Sequence, residues 1–177
     1  MNNKLSAVTF PCFTQEHVKK INEEIKKNIS KKELLEYASK IGEFSIVECM
    51  PLMNLVFLWL NKCQQLNRNI FGYDTYWSFH LDTFNYNVYG PNGKYDWHID
   101  GYNQNIPTDI KLTCLLNLSE ELYEGGEFSL INHSDEPEEF TSGMGLVFNS
   151  LIAHKVTPVT KGERITLTYW ALGPSWR

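Results

Sequence analysis

The stretch "RITLTYWAL", residues 164–172, decides how the rest of the chain is read. Successive side chains of an extended strand point to opposite faces, so Arg164, Thr166, Thr168 and Trp170 share one face. The other face, Ile165, Leu167, Tyr169 and Ala171, suits a core. One arginine and two threonines on a single face do not suit a core. They make sense as the wall of a pocket that holds an anion. Outward from this stretch, "YWSFHLDTFNYNVY" (76–89), "IKLTCLLNLS" (110–119), "GGEFSLIN" (125–132), "GLVFNS" (145–150) and "HKVTPV" (154–159) are short β-branched or aromatic runs. Turn residues separate them: "GPNG" at 90–93, "EGGE" at 124–127 and "TSGMG" at 141–145. No helical period falls between the runs. That disfavours a parallel βαβ fold and favours an antiparallel sandwich or jelly roll.

The period is different before about residue 73. Thr14 is placed to cap a helix whose apolar positions Val18, Ile21, Ile25 and Ile29 form a stripe among lysines and glutamates. "SKKE" at 30–33 reads as a capping box, with Gly42 closing the segment after it. Pro51 suits a first helical turn, and Leu52, Leu55, Val56, Trp59, Cys63 and Leu66 follow at helical spacing. The expectation is therefore one domain over 1–177, mainly β with supporting α. Residues 1–72 would be mainly helical support, and 73–177 a jelly-roll core that carries the site.

Composition narrows the function. The 177 residues are 42% hydrophobic and 21% charged, which suits a soluble globular chain. A net charge of −5 lacks the basic stripe that nucleic acid requires, so no nucleic-acid partner is expected. Cys12, Cys49, Cys63 and Cys114 are scattered, with no C-x-x-C spacing, and read as reduced thiols. The start "MNNKLSAVTFPCF" lacks the pattern of a signal peptide, and "LMNLVFLWL" is far too short to span a bilayer. A cytoplasmic location without a membrane partner is the expectation.

"YGPNGKYDWHIDG", residues 89–101, contains the chemistry. His98 and Asp100 lie two apart on an extended segment, so both point the same way. Joined by His154 they form a 2-His-1-carboxylate set, which leaves coordination positions open and is diagnostic of non-haem Fe(II) oxygenases. A dicarboxylate that chelates iron at one end needs a cation at the other. Arg164, ten residues beyond His154, offers the fork that grips a carboxylate with two parallel hydrogen bonds. A second His-x-Asp, His80 and Asp82 in "FHLDTF", lies inside a run expected to be strand over 75–89 and reads as a structural pair. A zinc hydrolase with the same three ligands stays open as an alternative, as does a non-catalytic jelly-roll binding module. The hydrolase leaves Arg164 without a role, and the intact set of His98, Asp100, His154 and Arg164 counts against a module with a degenerate site.

"YGPNGKYDWHID", "LNLSEELYEGGEFSL" and "HKVTPVTKGERITLTYW" together resemble the Fe(II)- and 2-oxoglutarate-dependent dioxygenases. The prolyl 4-hydroxylase-like, PKHD-type branch is the most similar. The resemblance covers residues from about 84 to 176 and implies a double-stranded β-helix, a cupin-like jelly roll buttressed by N-terminal helices. It implies Fe(II) on His98, Asp100 and His154, and 2-oxoglutarate on Arg164 and Tyr89, with Asn117 and Thr168 adding hydrogen bonds. Tyr95 would lie near the substrate and Trp170 would wall the pocket. The co-substrates would be 2-oxoglutarate and O2, with ascorbate a candidate reductant. The implied reaction hydroxylates an unactivated C–H bond, proline in a peptide or protein first and a free amino acid or other small molecule second. Substrate specificity is expected from the loops at 101–109 and 131–140.

Overall fold

The computed structural model describes residues 7–77, 82–101, 108–131 and 139–176. A strand β1 (Ala7–Pro11) leads into helix α1 (Gln15–Lys27), and a hairpin of β2 (Ile29–Tyr37) and β3 (Lys40–Glu48) leads into helix α2 (Cys49–Leu66). A π-helical turn, Asn67–Phe71, follows. The remaining strands are β4 (Thr83–Tyr89), β5 (Lys94–His98), β6 (Thr108–Asn117), β7 (Glu124–Gly125), β8 (Phe128–Leu130), β9 (Met144–Asn149), β10 (His154–Val156), β11 (Val159–Lys161) and β12 (Arg164–Pro174). The main sheet is antiparallel, in the order β1-β9-β6-β12-β4-β3-β5-β10-β8, with β2 on the free side of β3. β7 and β11 form a separate pair.

This order explains the curl. Thr113 on β6 donates to Asp100 just past β5, although β12, β4 and β3 lie between those two strands in the sheet. Only a sheet rolled on itself brings such distant strands together. Its outer face carries Ile165, Leu167, Tyr169 and Ala171 of β12, packed with Val18, Ile21 and Ile25 of α1 and Leu52, Val56, Trp59 and Cys63 of α2. A large apolar side chain moved fully out of water contributes about 1.5–3 kcal/mol, so this layer is the main anchor of the helices. Its inner face carries a second apolar cluster, with Leu115, Phe128, Phe148 and Val156. The expected alternation along 164–172 is present, and the jelly-roll architecture with it.

The first seventy residues depart from the mainly helical expectation. Residues 30–33 lie in β2, not at a helix start, and the Ser30 hydroxyl donates across the hairpin to the Ile46 carbonyl at 2.9 Å. Gly42 lies inside β3, where an added Cβ would meet the Val88 carbonyl oxygen at 3.0 Å. β2 is exposed along nearly its whole length, so its side chains carry neither a period of two nor one of 3.6. Pairing with β3 decides its state. Thr14 does occupy the N-cap of α1, yet its hydroxyl meets the His17 Nδ1 at 2.9 Å and not a backbone N–H. Of the strand expected over 75–89, β4 covers Thr83–Tyr89 and Tyr76 forms an isolated bridge to Leu172, while 78–81 lie outside the described residues.

All four cysteines are free, three of them buried, as expected of reduced thiols. Among the described residues no helix is long and apolar enough to cross a membrane.

Candidate active site

The inner face of the curl encloses a cavity of about 270 Å³. β5 and β10 are antiparallel neighbours, and their register sets His98 directly opposite His154. Each imidazole is fixed the same way, by Nδ1 against the carbonyl two residues earlier: Asp96 at 2.8 Å for His98, Ile152 at 3.0 Å for His154. That leaves both Nε2 atoms turned inward. Asp100 reaches between them, Oδ1 at 3.8 Å from the His98 Nε2 and Oδ2 at 3.5 Å from the His154 Nε2. One ligand atom from each of the three residues lies within 4.8 Å of the others, a spacing that fits one metal ion.

Protonation favours the same use. Burial, then the neighbouring His154, pushes the His98 pKa down to about 4. Burial lowers that of His154 as well. Both imidazoles are thus neutral at ordinary pH, the form that ligates a metal. Asp100 is braced: its backbone N–H donates to the Ser150 carbonyl at 3.0 Å. Its Oδ2 accepts from the Thr113 hydroxyl at 2.8 Å and from the Trp170 Nε1 at 3.1 Å. Two donors on one oxygen leave the other freer for a cation.

Arg164 opens β12 and stands opposite Tyr89 of β4. It is 2% exposed, yet its Nε and Nη2 have no hydrogen-bond partner, and no ion pair reaches it among the described residues. Its guanidinium carbon lies 5.6 Å from the Tyr89 ring centroid and 5.7 Å from that of Phe140. A buried guanidinium with idle donors costs several kcal/mol. An anionic guest that accepts from those donors offsets that cost, so the arginine fits the far carboxylate of a small dicarboxylate. Room for it depends on Gly126 (φ 63°), where a Cβ would meet the Arg164 Cδ at 3.0 Å and the Val159 Cγ2 at 2.9 Å.

Of the residues singled out from sequence, His98, Asp100, His154, Arg164, Tyr89, Tyr95, Thr168 and Trp170 all line this cavity. Tyr95 stacks on the His98 imidazole, ring centroids 3.5 Å apart and planes 13° from parallel. Trp170 does more than form a wall, since its indole N–H steadies Asp100. Asn117 is the exception. It stands opposite Thr166 in the sheet, but its amide donates to the Phe140 carbonyl at 2.7 Å and to the Tyr123 hydroxyl at 3.2 Å. With its Oδ1 accepting from the Ser119 N–H, it holds a turn and is not part of the lining.

Asn87, Thr113, Lys40 and Phe44 also line the cavity and were not anticipated. Asn87 donates to the Thr168 hydroxyl at 3.0 Å; its signal was the alternation of Asn85, Asn87 and Tyr89 along β4. Lys40 and Phe44 lie on β3, in the segment expected to be helical. His80 lies outside the described residues. Its companion Asp82 is far from the triad in role: it accepts from the Tyr169 hydroxyl at 2.7 Å and, through its carbonyl, from the Cys49 N–H. The parts of the expected specificity loops at 102–107 and 132–138 also lie outside the described residues.

The model of the 2OG-Fe(II) oxygenase superfamily matches residues 84–172, half of the chain. A PKHD-type hydroxylase of Alteromonas mediterranea is 38% identical over 64 residues, 36% of this chain and 28% of that protein. One from Shewanella frigidimarina is 35% identical over 66 residues, 37% and 29%. The matched segments thus span under a third of these relatives. A Pseudomonas putida prolyl-4-hydroxylase structure superposes with a TM-score of 0.74 over 96% of this chain and 94% of that one, at 15% identity. The viral collagen prolyl hydroxylase of Paramecium Bursaria Chlorella virus-1 gives 0.71 over 95% and 96%, at 16% identity. At these identities the likeness is one of fold.

Proposed function

The chain belongs to the 2OG-Fe(II) oxygenase superfamily, and on that premise we propose that it is a 2-oxoglutarate-dependent hydroxylase of a proline-containing peptide or protein. The observation that carries this reading is Arg164, a buried guanidinium with idle donors on the same inner face as the His98, Asp100 and His154 triad. Bound Fe(II) would supply the redox chemistry by which 2-oxoglutarate, O2 and a substrate C–H become succinate, carbon dioxide and C–OH. The protein's own part is positional. His98, Asp100 and His154 would hold the ion, with Thr113 and Trp170 keeping the carboxylate aimed. Arg164 would fix the far carboxylate of 2-oxoglutarate, with Tyr89, Asn87 and Thr168 closing that end against water. The substrate would enter beside Tyr95.

A zinc hydrolase built on the same triad fits less well. Asp100 is the only acidic residue on the described lining, so no second carboxylate is at hand as a general base, and Arg164 stays idle. The name prolyl-4-hydroxylase, carried by two structural neighbours of the same fold, supports proline as the target. Succinate release tests the reading. With Fe(II), 2-oxoglutarate and air the protein should release succinate slowly, and faster when a peptide that it hydroxylates is added. No Fe(II)-dependent succinate under any of these conditions sinks the proposal.

A further inference from the structure

Lys40 is the second cation on the cavity lining. It begins β3 and pairs with Tyr95 of β5, and its ammonium lies 3.9 Å from the Phe44 ring centroid and 4.2 Å from that of Tyr95. Tyr95 in turn stacks on the His98 imidazole at 3.5 Å, so ammonium, phenol ring and metal-side imidazole form consecutive layers. The Lys40 ammonium makes no hydrogen bond or ion pair with the described residues. Its nearest carboxylate influences, Asp100 and Glu33, act at a distance and do not offset its loss of water, which lowers its pKa. Two ring faces recover part of the cost, about 0.5–2 kcal/mol each at most, yet satisfy none of its three N–H donors. A lysine with no task in the fold would extend its flexible stem into solvent.

We propose that Lys40 binds a carboxylate of the primary substrate, one that lies close to the carbon to be hydroxylated. This rests on the hydroxylase reading above and adds the substrate class to it. The co-substrate does not need Lys40, because its far carboxylate has the fork of Arg164. An ammonium is a compact point charge, matched to one carboxylate. A phosphate would call for further donors, and the described groups around Lys40 are aromatic faces. Because only the Tyr95 ring separates the ammonium from His98, the anion must sit within a residue or so of the reacting carbon. That chemistry has two sources: the α-carboxylate of a free amino acid or a C-terminal residue, and the side chain of an acidic residue beside the target.

Paired probes decide between them. The protein is loaded with Mn(II) and 2-oxoglutarate, and the affinity of each probe is read from the water-proton relaxation of the Mn(II) complex. One pair is L-proline and L-prolinamide. The other is acetyl-Pro-Glu-amide and acetyl-Pro-Gln-amide. In at least one pair the carboxylate member should bind about tenfold or more tighter than its neutral twin, as expected for one partly desolvated ion pair. Lys40→Met should erase the preference, Lys40→Arg should keep part of it, and Lys40→Glu should reverse it. A thermal melt of each variant guards against misfolding, and the Arg variant keeps the test decisive if Met disturbs the hairpin. Equal binding within both pairs, no binding by any carboxylate probe, or a preference that survives in Lys40→Met overturns the proposal. So does a loss of 2-oxoglutarate affinity in Lys40→Met with the preference unchanged, which would assign the ammonium to the co-substrate. The readout is binding of each probe to the Mn(II)-loaded protein, so it can fail while succinate release succeeds, and the reverse.

Discussion

The cavity has two cationic ends, and they treat charge in opposite ways. At one end Arg164 is locked: it opens a long central strand, is 2% exposed, and sits between the Tyr89 and Phe140 rings. At the other, Lys40 begins an edge hairpin and rests its ammonium on the rings of Phe44 and Tyr95. A rigid fork on a rigid strand suits one guest of fixed shape. A flexible stem on the lining suits a guest that varies. The triad shares the same lining, with Asp100 the one opposing charge on its described part. On the proposed roles, the difference teaches that co-substrate and substrate recognition would rest on separate structural elements, so each could be perturbed alone.

The largest effect should come from removing what both ends share. His98→Ala and Asp100→Ala should each abolish Fe(II)-dependent succinate release, and Mn(II) binding should drop at least a hundredfold by relaxation titration. Substantial turnover in either variant would break the assignment of the metal centre. Next comes one end alone. Arg164→Ala should weaken 2-oxoglutarate by roughly thirty-fold to a few thousand-fold, or about 2–5 kcal/mol, the cost of losing one partner of a desolvated charge pair. Arg164→Lys should recover only part, because an ammonium cannot make the fork. Calorimetric titration with Mn(II) present reads both. Unchanged affinity in the Ala variant would erase the contrast between the two ends.

How much of this was legible in the sequence follows the same division. The Arg164 end was legible because β12 is a central strand with one face in the core and one in the cavity, so its alternation is strict. His98 and Asp100 were legible from their context, the Tyr-Gly turn and Tyr95 before them with His154 and Arg164 to join them, because His80 and Asp82 share the same two-residue spacing. The Lys40 end was not. β2 is exposed along its length and β3 alternates poorly, so Ser30 and Glu33 mimicked a helix capping box. Asn117 shows the opposite failure: its face was read correctly, but sequence periodicity cannot reveal that Phe140 and Tyr123 have taken its amide.

A proton on the triad should act in a smaller and graded way. The unfolded chain takes up protons on His98 near the ordinary value of about 6.5, whereas the fold holds that imidazole neutral down to about 4. Stability of the metal-free protein is therefore fully present above about 6.5 and is lost as pH falls from there towards 4. Urea midpoints in chelator at pH 7.5, 6 and 5 should decline steadily, and His98→Gln should flatten the decline. A midpoint that rises on acidification would mean that the imidazole gains a partner when charged, against the burial seen here.

The smallest effect on function should come from outside the cavity altogether. Asp82 belongs to the second His-x-Asp, and it differs from Asp100 in what it accepts. Asp100 takes a hydroxyl and an indole N–H on one oxygen and faces two imidazoles. Asp82 takes the phenol of Tyr169, a residue of the outer face of β12 that packs with Phe84. Burial and this carboxylate raise the Tyr169 pKa well above its usual value, so the phenol stays protonated and donates. Asp82→Ala removes one acceptor from the Tyr169 hydroxyl, which costs about 1–3 kcal/mol at most. Tyr169→Phe removes the donor instead and should cost less, because an exposed part of the carboxylate can be hydrated. Mn(II) affinity and succinate release should match the parent in both variants within about twofold. A tenfold loss of metal in Asp82→Ala, with the melt moved only a few degrees, would show that the outer face reaches the triad and that the chain's two His-x-Asp pairs are not independent.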